Sequence, residues 1–210
     1  MTVTMTTTHD ASSYFAQLTR TIHRLPLETI HDLVQVFLEA YGRSRSIFLF
    51  GNGGSAALAS HMACDLGKGT APAGGKRLRV VALTDNVALL TAWANDTRYE
   101  NIFREQMENL LEAGDVAFAI SGSGNSPNVL AGLEWARQAG AVTAGITGFE
   151  GGKMRALCDV CVVVPSDNMQ IIEDLHMSIS HAVFRLLRHR MQPTTIDAAT
   201  PQARSAAASR

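Results

Sequence analysis

Residues 46–69 read SIFLFGNGGSAALASHMACDLGKG: a short apolar run, a turn through Gly51-Asn52-Gly53-Gly54-Ser55, and then a helical stretch. A buried strand, a glycine turn and a helix form the first half of a βαβ unit. The same alternation continues downstream. LRVVAL (78–83), DVAFAI (115–120), AVTAGI (141–146) and DVCVVV (159–164) are further short apolar runs. Helical stretches over 55–67, 86–96, 99–112, 126–138 and 168–190 separate or follow them. This pattern predicts an α/β fold built on a parallel sheet with right-handed connections. Ligands of such sheets bind beyond the carboxyl ends of the strands. The informative residues are therefore those just after each strand.

Upstream the period is helical. Phe15, Leu18, Ile22 and Leu25 recur at helical spacing, and a second helix opens at Pro26. Ile30, Leu33, Val34, Phe37, Leu38 and Tyr41 then form one apolar stripe that Gly42 can end. The two segments are expected to form a helical hairpin. Residues 1–10 are rich in threonine and 192–210 in Ala, Thr, Ser and Pro, so both ends are expected to be disordered. Residues 11–191 remain as a single domain.

The 210-residue chain is 46% hydrophobic and 18% charged, which suits one globular core rather than a disordered chain. Its net charge of −1 argues against nucleic-acid binding by bulk electrostatics. No apolar run reaches the ~18 residues of a membrane span. The first twenty residues lack a basic segment followed by an apolar one, so a cytoplasmic protein is expected. Three cysteines do not make a disulfide framework. Cys158 and Cys161 fall in an alternating strand on this reading, with side chains on opposite faces, and are expected to be core thiols.

Two loops carry the chemistry. In Gly51–Ser55, three glycines in four residues exceed what one tight turn needs. They let backbone N–H groups approach a ligand at a helix N-terminus, where an anion is favoured. Gly51, Gly53 and Ala56 also fit a dinucleotide fingerprint. That pattern wants an acidic residue ending the next strand, about 20 residues on. Asp85 lies 29 residues past Ala56, so the fit is poor. The second loop, Ser121-Gly122-Ser123-Gly124-Asn125-Ser126, lies between a strand and a helix. Its hydroxyls and the helix N-terminus suit a phosphate. Two such loops on one sheet predict a phosphorylated small polyol, with one loop for each end.

The titratable residues gather on two helices. His61 and Asp65 are four apart and share a face. The last helix carries Glu173, His176 and His181. Glu173 and His176 have the i,i+3 spacing of a metal-ligand pair. Glu173 and His181 are eight apart, ~12 Å along a straight helix, too far to close on one ion unless the helix starts late or bends. His181 lies opposite the main apolar stripe, between Met177 and Phe184. A helix apolar on two faces is buried on two sides. His181 is therefore expected to face another subunit, where it completes a site or packs in a dimer seam.

FGNGGSAALASHMACDLGKG (50–69), TAWANDTRYENIF (91–103), AISGSGNS (119–126), ITGFEGGKM (146–154) and IIEDLHMSISH (171–181) together resemble the sugar isomerase (SIS) domain. They are most similar to its phosphoheptose isomerase branch. The resemblance spans residues 14–190. It implies a three-layer sandwich on a five-stranded parallel sheet. It implies a homotetramer with active sites between subunits, and a bound zinc ion. It implies conversion of sedoheptulose 7-phosphate to D-glycero-D-manno-heptose 7-phosphate. By position it makes Asn52, Gly53, Gly54 and Ser55 substrate contacts, with Asn95 and Asp96. Ser121, Gly122, Ser123 and Ser126 would hold the phosphate. His61, Asp65, Glu173 and His181 fall at the zinc positions, with Asp65 and Glu173 also touching substrate.

The chain departs from the family pattern in three places. Asp65 stands for a glutamate, Glu173 for a glutamine, and Gly122 for a hydroxyl residue. Aspartate reaches ~1.5 Å less than glutamate. The chemistry expected is proton transfer through an enediol, with Asp65 and His181 as the acid–base pair. Other SIS proteins are non-catalytic scaffolds, including one that binds a replication initiator. Others act on or respond to different sugar phosphates. TDNVALLTAWAND (84–96) resembles the scaffold branch, whereas the presence of both His61 and His181 favours the enzyme.

Overall fold

The computed structural model describes residues 10–71 and 75–191. The elements run α1 (Ala11–Ile22), α2 (Leu27–Gly42), β1 (Ser46–Gly51), α3 (Gly54–Cys64), a π turn (Asp65–Gly69) and β2 (Arg79–Ala82). They continue with α4 (Val87–Asp96), a 3-10 turn (Tyr99–Asn101), α5 (Ile102–Leu110), β3 (Val116–Ser121) and α6 (Pro127–Gln138). β4 (Val142–Thr147), α7 (Met154–Leu157), β5 (Val160–Val163) and α8 (Met169–Met191) complete them. The five strands are ordered β2-β1-β3-β4-β5, and every pairing is parallel.

Strand alternation creates the layers. Ile47 and Leu49 of β1, with Val116, Phe118 and Ile120 of β3, face a core shared with α2, α3 and α8. Phe48, Phe50, Ala117 and Ala119 face the opposite core, against α5 and α6. β1, β3 and β4 are thus buried on both sides, as parallel strands require, whereas the edge strand β2 leaves Val81 40% exposed. Phe37 of α2 meets Phe118 edge-on at 5.4 Å between centroids.

α1 packs on α8, where Tyr14 donates its hydroxyl hydrogen to Asp174. Its stripe is only partly covered: Phe15 is 61% and Ile22 46% exposed. α4 buries no residue at all. It is held at its start by Asn86, whose Oδ1 accepts from the Leu89 N–H at 3.1 Å. Asn86→Ala is expected to cost about 1 kcal/mol through this lost cap. Urea unfolding should show a lower midpoint with an unchanged slope.

Several sequence expectations need correction. Asp10, assigned to a disordered end, caps α1 by accepting from the Ser13 N–H at 2.8 Å. Residues 1–9 and 192–210 lie outside the described residues. The α7 turn was missed, because four residues carry no readable period. Cys158 lies at the end of α7, not in β5. Its thiol interacts with that of Cys161, and this contact, with burial, raises its pKa. Both side chains pack against the second core.

Candidate active site

The first loop is shaped by backbone crowding. A Cβ on Gly51 would stand 2.5 Å from the Ile120 carbonyl oxygen of β3, so glycine lets β1 end flush against its neighbour. Gly53 then turns with φ +53° into α3. Asn52, between them, is fixed by a reciprocal amide pair. Its Nδ2 donates to Asn128 Oδ1, and Asn128 Nδ2 donates to Asn52 Oδ1, both at 2.8 Å. The Tyr99 hydroxyl also donates to Asn52 Oδ1 at 3.1 Å. A cavity opens on each side of this loop, each of about 260 Å³. One is lined by Asn52, Gly53, Thr84, Tyr99 and Phe103. The other lies between Gly54, Ser55, Leu58, Glu173 and His176.

The second loop is braced from within. The Gly124 N–H donates to Ser121 Oγ and the Asn125 N–H to Ser123 Oγ, both at 3.2 Å. Ser121 and Ser126 Oγ lie 3.4 Å apart. The Lys153 N–H donates to Asn125 Oδ1 at 3.0 Å. Ser121 and Ser123 each accept from a loop amide, which leaves their O–H donors for an anion. Gly122 has a local reason. A Cβ there would lie 2.5 Å from Met169 Sδ, the space that the hydroxyl residue of the family pattern would need.

α8 ties the two loops together. Met169 stands against Gly122, and Glu173, one turn later, stands against Gly54. Glu173 is accordingly outside the cluster formed by the other three residues at the implied zinc positions. That cluster is His61, Asp65 and His181, whose candidate ligand atoms all lie within 4.8 Å of one another. His61 Nε2 is 3.3 Å and His181 Nε2 3.9 Å from Asp65 Oδ2. The two imidazole nitrogens are 3.0 Å apart. Asp65 begins the π turn that follows α3, a local widening common at functional sites. The cluster closes within one chain, so no second subunit is needed to bring His181 to His61.

The donor set suits a divalent metal ion. Ligands ~2.0–2.2 Å from a tetrahedral zinc are about 3.3 Å from each other, close to the separations here. Two imidazoles and one carboxylate leave a fourth position open.

His176, the spacing-based partner of Glu173, is only 1% exposed and stands outside the metal cluster. Burial pushes its pKa down to about 4, against a smaller opposing effect of its hydrogen bond with the Thr147 backbone. A histidine neutral in the fold and protonated when unfolded destabilises the fold as pH falls. Its contribution is complete above about pH 6.5 and is lost towards pH 4, at most about 3 kcal/mol. Urea midpoints measured across this window should fall more steeply for the parent than for His176→Asn.

Asn95 and Asp96 are exposed at the end of α4, where Asn95 Nδ2 donates to Asp96 Oδ1 at 2.8 Å. Neither lines a cavity at the first loop. Asn128 and Tyr99 were not anticipated. Asn128 sits at the start of α6, where asparagine is indistinguishable from a helix-end residue by sequence.

A doubly covered parallel sheet with two glycine- and serine-rich loops is the SIS class of fold, and the SIS domain pattern matches residues 13–148. The chain is 40% identical to a phosphoheptose isomerase of Pelobacter propionicus over 156 residues, 74% of this chain and 82% of that protein. It is 44% identical to one from Paramagnetospirillum magneticum, covering 74% of this chain and 81% of that protein. The solved phosphoheptose isomerase of Neisseria gonorrhoeae superposes with a TM-score of 0.79 at 30% identity, covering 85% of this chain and 96% of that one. The chain belongs to the phosphoheptose isomerase family within the SIS domain proteins.

Proposed function

We propose that this protein is an aldose–ketose isomerase that converts sedoheptulose 7-phosphate to D-glycero-D-manno-heptose 7-phosphate. The observation that carries the reading is the pairing of a phosphate-suited serine loop with a carboxylate–imidazole cluster, Asp65 with His181, in a member of this family. The Ser121, Ser123 and Ser126 hydroxyls and the α6 N-terminus hold the phosphate. Asn52, Gly53, Gly54 and Ser55 receive the sugar, with Asn95 and Asp96 supplied from a neighbouring copy.

The reaction moves one proton between adjacent carbons. Asp65 takes it from C1 of the ketose while His181 donates a proton to the carbonyl oxygen on C2, and an enediol forms. Return of a proton to C2 and loss of one from the C1 hydroxyl give the aldose. Positioned acid–base groups of this kind contribute about 10²–10⁴-fold in rate. His61, Asp65 and His181 would hold zinc; when bound it would supply Lewis acidity towards the sugar oxygens in place of the proton that His181 Nε2 gives in the zinc-free site. Glu173, placed by the family pattern at the same ion, would need to swing from Gly54 to reach it.

The assembly we propose is a homotetramer. The exposed apolar residues of α1 and α4, Phe15, Ile22 and Val87 among them, support burial against further copies. No helix among the described residues is long and apolar enough to cross a membrane. A cytoplasmic location fits a reaction on a phosphorylated metabolite. The test is turnover of sedoheptulose 7-phosphate by the purified chain.

A further inference from the structure

We propose that Cys158 and Cys161 form a peroxide-reactive dithiol, in which the Cys161 sulfur is oxidised first and Cys158 then closes a disulfide onto it. The inference stands apart from the isomerase reading, because neither cysteine belongs to the two loops or to the His61, Asp65 and His181 cluster.

Side chains three residues apart in an unbroken strand point to opposite faces. Here the chain leaves α7 at Cys158, bends at Asp159 and enters β5 at Val160. The bend returns both cysteine side chains to one face of the sheet, where they pack against the same core. Contacts with β4 fix it from both sides. The Asp159 N–H donates to the Thr143 carbonyl at 2.8 Å, and the Thr143 N–H donates to Asp159 Oδ2 at 2.9 Å. The Thr143 hydroxyl donates to the Leu157 carbonyl at 2.8 Å. The backbone on each side of Cys158 is thus anchored, and the two thiols meet in a hydrogen bond.

That bond makes the two sulfurs unequal. It lowers the pKa of Cys161; burial opposes the effect, and the positive charge of Arg155 adds to it. The same bond, with burial, raises the pKa of Cys158. The thiolate is the reactive form, so Cys161 is the attacking sulfur and Cys158 the resolving one. Both side chains are only partly buried, which leaves a path for an oxidant as small as hydrogen peroxide. Cys64, the third cysteine, is exposed on α3 and has no thiol beside it.

The Cys161 thiolate attacks one peroxide oxygen and the O–O bond breaks. The sulfur is oxidised to a sulfenic acid, and the second oxygen leaves as hydroxide, which takes up the proton that Cys161 had lost. The Cys158 sulfur then attacks the sulfenic sulfur. Its proton goes to the departing hydroxyl, which leaves as water as the S–S bond forms. Two thiols and one hydrogen peroxide give one disulfide and two waters. A dithiol reductant reverses the bridge by exchange.

The test treats the folded full-length protein with a slight molar excess of hydrogen peroxide and blocks the remaining thiols with N-ethylmaleimide. Mass spectrometry then reads the tryptic peptide from Ala156 to Arg185, which holds both cysteines and not Cys64. Before peroxide this peptide should carry two maleimides. After peroxide it should carry none and have lost two hydrogens, and dithiothreitol should restore both labels. In Cys158→Ser, dimedone should trap Cys161 as the sulfenic acid; in Cys161→Ser, it should leave Cys158 unlabelled. Retention of both maleimides after peroxide, a bridge to Cys64, or a sulfinic acid at Cys161 in place of the bridge overturns the proposal. Dimedone on Cys158 but not on Cys161 overturns the order of attack. The result on the parent involves no substitution, so it decides the matter even where a serine variant fails to fold.

Discussion

Asp65→Asn is expected to lower kcat for the ketose phosphate by about 10²–10⁴-fold, the usual worth of a positioned general base. KM should change much less, because the hydroxyls proposed to hold the phosphate are on the other loop. The substitution keeps size and hydrogen-bonding capacity but cannot take a proton. It also removes the carboxylate that lies 3.3 Å from His61 Nε2, so zinc affinity should fall in parallel. Assays at saturating zinc separate these two losses. Asp65→Glu, which moves the carboxylate by about 1.5 Å, should retain more activity than the asparagine variant. Full activity in Asp65→Asn at saturating zinc would remove Asp65 as the base.

Gly124→Ala should both destabilise the fold and weaken phosphate binding. Gly124 has φ +63°, and a Cβ there would lie 2.2 Å from the Gly151 carbonyl oxygen. The obstacle is backbone, so no rotamer change relieves it. Left-handed strain and displacement of the 148–153 segment together are expected to cost about 2–4 kcal/mol. The Gly124 N–H also donates to Ser121 Oγ, and the backbone shift that an alanine Cβ forces at 124 would weaken this internal brace of the loop. Urea unfolding would measure the first effect and competition by inorganic phosphate the second. A variant with parent-like stability and phosphate affinity would show that the 121–126 loop is not fixed by this contact.

Much of the architecture could be read from local pattern. Short apolar runs marked the strands, and those of β1, β3 and β4 are plainest because a doubly buried parallel strand shows itself as a continuous apolar run. The glycine-rich turns located both loops, since few other residues permit such close backbone approach. Less could be read where geometry depends on what surrounds a residue. α3 gives way to a π turn at Asp65, and no residue preference separates the two conformations. His181 lies opposite the main apolar stripe of α8, and nothing local shows that α8 packs on α3 so that His181 meets His61 directly. Two helical turns separate Glu173 from His181, and Glu173 stands at Gly54 rather than in the three-residue cluster. Asn128 pairs with Asn52 across 76 residues of sequence, a contact that no window along the chain contains.

The most direct test of the central claim is to incubate the purified protein with sedoheptulose 7-phosphate, with and without Zn²⁺, and follow the anomeric proton of the product by NMR. Conversion to the aldose 7-phosphate is expected, and in D2O its C2 hydrogen should carry solvent deuterium to the extent that the Asp65 proton exchanges. Saturable binding of the sugar phosphate without conversion in either condition would contradict it, and would make the chain a phosphosugar-binding member of the family.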